Sequence, residues 1–112
     1  MDKAALLDRV EGDVELLKQL VDLFRDDSGR LLCDVHAALD HGDLRALERS
    51  AHALKGSVGN FCASSAWEAA LQLETLARSG VIAGADEVFQ RLDREVKTLN
   101  AELSALAREL AS

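Results

Sequence analysis

The sequence predicts an all-α fold, an antiparallel up-down-up-down four-helix bundle with a short N-terminal helix capping one end. Three observations carry that expectation. The 112 residues contain no proline, so no position is barred from a helix interior. Alanine, leucine, glutamate and arginine, all strong helix formers, are abundant. Apolar residues recur at spacings of three and four in four successive segments joined by short turns, and such stripes are buried most economically against one another.

The first helix is expected over 3–10, with Asp2 as its N-cap and a break at Glu11-Gly12. It is too short to stand alone. The second is expected over 13–39. Asp13 offers its cap, and Leu17, Leu20, Phe24, Leu31, Val35 and Ala38 form a stripe running to the turn at Asp40-His41-Gly42. Ser28-Gly29 interrupts that stripe without changing its phase, which predicts a kink and not a loop. The third spans 43–61 with Asp43 as cap, and Leu44, Leu47, Ala51, Leu54, Val58 and Phe61 step along one face.

Ser64-Ser65 signals the start of the fourth helix, 64–79, which presents Ala66, Ala70, Leu73 and Leu76 to the core until Ser79-Gly80 ends it. The last helix, 84–110, carries a heptad-like seam of Val88, Leu92, Val96, Leu99, Leu103, Leu106 and Leu110. That seam could instead mediate coiled-coil dimerisation, but a single bundle already uses every stripe, so a monomer is expected. The second and fifth helices, roughly 26 residues or about 39 Å each, should extend past the shorter third and fourth.

Composition narrows the function classes. With 48% hydrophobic and 29% charged residues and no linker-like stretch, residues 1–112 are expected to form one globular domain. A net charge of −7 argues against nucleic acid as a partner, because phosphate backbones call for clustered positive charge. No apolar run approaches the roughly 20 residues of a membrane span, and Met1-Asp2-Lys3-Ala4 is not a secretory start. A cytoplasmic domain with no membrane contact of its own is the expectation. Cys33 and Cys62 form no Cys-x-x-Cys pair and are read as free thiols on apolar helix faces, as a reducing compartment permits.

The candidate site is on the third helix, in His52-Ala53-Leu54-Lys55-Gly56-Ser57-Val58-Gly59. Each helical glycine costs about 1 kcal/mol against alanine, so Gly56 and Gly59 imply that something needs open backbone there. With 100° per residue, the stripe from Leu44 to Phe61 puts His52 about 130° away from the core, on the outer face. Arg45, Glu48, Lys55, Gly56 and Gly59 are its neighbours on the helical wheel, with Arg49 at the border, a local basic patch on an acidic chain. An exposed histidine is ordinarily just a solvated residue; the lysine one turn along and the two bare positions favour a nucleophile. Such a histidine would take a phosphoryl group on a ring nitrogen. The chemistry depends on in-line geometry and on neutralising the equatorial oxygens. No glycine-rich nucleotide loop and no acidic Mg²⁺ cluster is present in the sequence, so no cofactor of its own is expected, and metal would come from the partner.

His52-Ala53-Leu54-Lys55-Gly56-Ser57 resembles the H-x-L-K-G-S signature of histidine-containing phosphotransfer (HPt) domains, and the helical pattern is similar over essentially the whole chain. The resemblance implies an intermediate in a multistep phosphorelay, exchanging phosphoryl groups with aspartates of response-regulator receiver domains fed by a histidine kinase. It implies no catalytic machinery of its own, and Mg²⁺ in the partner receiver. On the resemblance His52 would be the phosphoacceptor, Lys55 the phosphoryl-stabilising cation and Gly56 the access position; the wheel adds Gly59 as a second access position and Arg45, Glu48 and Arg49, with Lys55, as the partner surface. Glu74, on the next helix, occupies the place where the family often has an acidic or amide residue bonded to the imidazole; alternatively it is a surface glutamate pairing with Arg78. Ser57 could hold a phosphoryl oxygen or bond back to its own helix, the latter being the simpler expectation.

The chain departs from the family pattern at Cys62, often glycine, and at Trp67, which is bulkier than the position suggests. Trp67 is expected in the core, with an exposed partner anchor as the alternative. The phosphoacceptor module of a chemotaxis-type kinase and a non-phosphorylated helical scaffold are the competing functions, and both a free shuttle and a piece of a hybrid sensor kinase remain compatible. Cys33 and His36 have metal-compatible spacing but no second pair, His41 reads as turn chemistry, and Asp26-Asp27 and Asp86-Glu87 as solvated surface, the latter pair near a helix N-terminus.

Overall fold

Aspartate capping organises the first three helices of the computed structural model, which describes residues 1–111. Asp2, Asp13 and Asp43 each accept a hydrogen bond from the backbone N–H three residues on, at 3.0, 3.0 and 3.1 Å. They start α1 (Lys3–Arg9), α2 (Val14–His41) and α3 (Leu44–Gly59); α4 (Ser64–Ser79) and α5 (Ala85–Ala111) follow. No strand occurs among the described residues. Consecutive helices pack side by side, α2 on α3, α3 on α4, α4 on α5, and α5 closes back on α2. The result is an all-α bundle 46 Å long and about 20 Å across, with α1 laid over one end through the buried Leu6.

The core follows the stripes. Leu17, Val35, Leu47, Ala51, Leu54, Val58, Leu73, Leu92, Val96 and Leu103 are fully buried, each leucine contributing about 1.5–3 kcal/mol. Leu20, Leu76 and Leu110 are half-buried at the margin of the core. No helix among the described residues is long and apolar enough to cross a membrane.

Several boundaries differ from the periodicity. The first helix ends at Arg9, Val10 being its C-cap, one residue short of the expected end. The second continues to His41 because Gly42 takes the left-handed C-cap conformation (φ 65°). His41 is therefore the last helical residue and not a turn residue, its Nδ1 donating to the Ala37 carbonyl at 2.8 Å. Helix α2 is unbroken through Ser28-Gly29. Ser28 is buried in the stripe, donating to the Arg25 carbonyl (3.3 Å) and accepting from Asn100 of α5 (3.1 Å).

The third helix stops at Gly59, two residues early. Phe61 leaves the helix yet remains core, tilted against Phe24 with ring centroids 4.8 Å apart. Cys62 then adopts φ 55°, which turns the chain sharply enough that helical geometry resumes at Ser64; Ala63, buried and without a capping side chain, holds the cap position expected of a serine. Neither thiol is on an apolar helix face: Cys33 is exposed on α2 and Cys62 is half-buried in this turn.

Candidate functional site

Along α4, Ala66, Ala69, Ala70, Leu73 and Ala77 are buried, and Glu74 shares that face. Its carboxylate is 2% exposed and points at α3. An ionised group survives there only when its oxygens are occupied. Lys55 Nζ donates to Oε1 at 2.7 Å. On Oε2, His52 Nδ1 lies at 2.6 Å and Arg78 Nη2 at 3.3 Å. Arg78 also reaches across to α3, its Nε donating to Glu48 at 3.0 Å. Glu74 thus contacts Arg78, as the surface alternative has it, and His52 as well, from a buried position.

Burial is the largest influence on Glu74 and alone raises its pKa. Hydrogen bonds from Lys55 and His52, reinforced by their charges, outweigh it and hold the carboxyl below its ordinary 4.5. Glu74 is therefore a carboxylate at neutral pH and can only accept, so the His52 ring proton in this contact sits on Nδ1. In the neutral imidazole Nε2 is then the nitrogen with the free lone pair. His52 itself is 67% exposed, in keeping with its place on the outer wheel face.

Gly56 leaves open space: a Cβ added there would meet nothing within 4 Å. Gly59 does not, because the indole of Trp67 lies over it, 3.5 Å from where a Cβ would stand. Trp67 is accordingly not core; it is 39% exposed, because position 67 falls at the edge of the α4 stripe and the ring lies across the α3–α4 seam. Arg49, Glu48, His52, Glu74 and Arg78 line a shallow hollow of about 350 Å³. Arg45, two turns earlier and exposed, is outside it. Among the described residues no group of three or more His, Cys, Asp or Glu side chains could hold a metal. His36 instead faces Asp40 (3.6 Å) and the ring of Phe89 (5.5 Å).

Two features lie beyond the sequence-based expectations. Arg78, expected only as a partner of Glu74, also joins it to Glu48 of α3. A groove of about 330 Å³ also opens between α1, α2 and the end of α3, walled by Leu6, Leu16, Leu20, Leu23, Ser57 and Asn60. Leu16 and Leu23 are exposed there. Each precedes a buried residue, Leu17 or Phe24, so one member of each apolar pair had to lie about 100° off the stripe.

The family model described as Hpt domain matches residues 19–109. No curated protein matches the chain. Among solved structures, the crystal structure of histidine-containing phosphotransfer protein B (HptB) from Pseudomonas aeruginosa PAO1 is similar: the TM-score is 0.91 and the identity 28%, over 97% of this chain and 95% of that one.

Proposed function

The chain belongs to the Hpt domain family and functions in phosphorelay phosphotransfer, and from that premise we propose that His52 is its phosphoacceptor. Nε2 attacks the phosphorus of a receiver-domain aspartyl phosphate in line. A P–N bond forms, the P–O bond to the aspartate breaks, and the carboxylate departs without needing a proton. The product ring carries Nδ1–H and Nε2–phosphoryl and is cationic, a charge that Glu74 offsets through Oε2. Lys55, held by Oε1, supplies positive charge for the phosphoryl oxygens. Transfer to the next receiver runs the same steps in reverse.

The observation that carries this reading is the single buried carboxylate holding both His52 and Lys55, at 2.6 and 2.7 Å. The receiver domain brings the Mg²⁺ and docks from the open side of Gly56, where α3 leads through Ser57 and Asn60 to the apolar groove. Arg45, Glu48 and Arg49 flank the other side. On this reading the domain acts as a monomer in the cytoplasm and has no catalysis of its own.

The test is transfer from a purified receiver domain carrying ³²P on its aspartate. The chain acquires acid-labile, alkali-stable label in the wild type and none in His52→Gln, with helicity unchanged by circular dichroism. Label on the variant would remove His52 from the reaction.

A further inference from the structure

We propose that Trp67 is a positioning residue for phosphotransfer: its indole closes one side of the slot that holds the Lys55 ammonium against Glu74. The inference rests on the phosphoacceptor reading of His52 above and adds a residue to it.

Two rows face each other across the α3–α4 seam. Trp67 and Glu74, seven residues apart, share one face of α4. Lys55 and Gly59, four apart, share one face of α3. Because the helices are antiparallel, Gly59 meets Trp67 and Lys55 meets Glu74. The indole occupies the room that Gly59 leaves, and Lys55 Nζ stands 5.8 Å from its ring centroid, within cation–π range. The ammonium is thus held between a carboxylate and an aromatic ring, and the lysine side chain is only 20% exposed although it lies beside a solvent-facing histidine.

A lysine has four rotatable bonds and a strongly hydrated head, so left alone it samples many positions. Ring and carboxylate together restrict it to one. Trp67 has no contact with the imidazole in this arrangement; it acts through Lys55. It also covers Gly59, where an added Cβ would stand in ordinary van der Waals contact with the indole and a longer side chain would compete with it for the same surface. When His52 carries a phosphoryl group, the ammonium has a stronger anionic partner and moves from the ring toward it.

Phosphoramidate, a small phosphoryl donor with no docking surface, separates positioning of Lys55 from contact with a partner protein. With it, Trp67→Leu should label His52 about 2- to 5-fold more slowly than wild type, and Trp67→Phe, which keeps a ring, should recover most of that rate. In a Lys55→Met background Trp67→Leu should add no further loss. An unchanged rate in Trp67→Leu, an equal loss with Lys55 absent, or a loss seen only with a receiver-domain donor would each overturn the proposal. Trp67 is the only tryptophan and the chain has no tyrosine, so the wild-type protein gives a second measurement that needs no variant at position 67. Its emission should change when phosphoramidate labels His52, and Lys55→Met should abolish that change. Labelling without an emission change contradicts the role of Trp67, whereas absence of label on His52 contradicts the phosphoacceptor reading instead.

Discussion

A carboxylate at 2% exposure carries a desolvation cost of several kcal/mol that partners must offset, and at Glu74 those partners are Arg78 and the two residues proposed above for the chemistry, His52 and Lys55. The two oxygens separate their effects. Glu74→Ala leaves the His52 Nδ1–H and the Lys55 ammonium without their acceptor and should slow labelling by about 10- to 100-fold. Glu74→Gln keeps an oxygen for Nδ1–H but loses the charge, and should retain more activity than Glu74→Ala; the reverse order would show that the hydrogen bond to the imidazole is unimportant. Lys55→Met should slow transfer by about tenfold or more with the bundle intact, read by the same phosphotransfer assay and by circular dichroism. At this scale the sequence encodes angles around each helix and little more. The stripe of α3 fixed the outward direction of His52, because each neighbour constrains the wheel. It could not say how far a side chain reaches across to another helix. Glu74 and Trp67 both sit near the edge of the α4 stripe, one turning inward to three donors and the other lying over Gly59.

On the scale of one helix, α3 carries a glycine at position 56 where the backbone is helical and a Cβ would meet nothing. Gly56→Ala should therefore raise stability by about 0.5–1 kcal/mol in urea unfolding. Gly56→Leu should remain folded, accept phosphate normally from phosphoramidate, and yet take it slowly from a receiver domain, because the added side chain obstructs docking. Normal transfer from the receiver would refute open access as the reason for this glycine. The turn between α3 and α4 shows the opposite economy. Cys62 holds φ 55° without being glycine, so Cys62→Gly should stabilise by about 0.5–1 kcal/mol; a fall in urea midpoint would mean that packing of its half-buried side chain outweighs the backbone strain. The departure from the family's usual glycine at this position was visible in the sequence, but its left-handed backbone was not, since periodicity carries no information about φ. The same blindness explains the misplaced ends: Gly42 as a left-handed cap lengthens α2, and the Cys62 turn shortens α3 while leaving Phe61 in the core.

The bundle as a whole was legible because four stripes at helical spacing with short connections leave few alternatives, and the aspartate caps marked three of the five starts. The bundle's cost at low pH, by contrast, follows only from the burial of Glu74 in the structure. Its carboxyl is held below 4.5 in the folded state, so the unfolded chain binds the proton more readily. Stability from this group is fully present above about pH 4.5 and is lost as pH falls through the lower folded value. Urea unfolding between pH 6 and pH 3 should show a steeper acid loss in the wild type than in Glu74→Gln; equal slopes would mean that the ion pairs contribute nothing to the fold. The proposed phosphoacceptor chemistry is more specific than fold or stability, because it has one nitrogen of His52 receive the phosphoryl group while Glu74 holds the other. NMR of ¹⁵N-histidine-labelled protein after transfer from a phosphorylated receiver domain tests it most directly. The account predicts phosphoryl on Nε2 of His52 with the proton retained on Nδ1, and phosphoryl on Nδ1, or on His36 or His41, would contradict it.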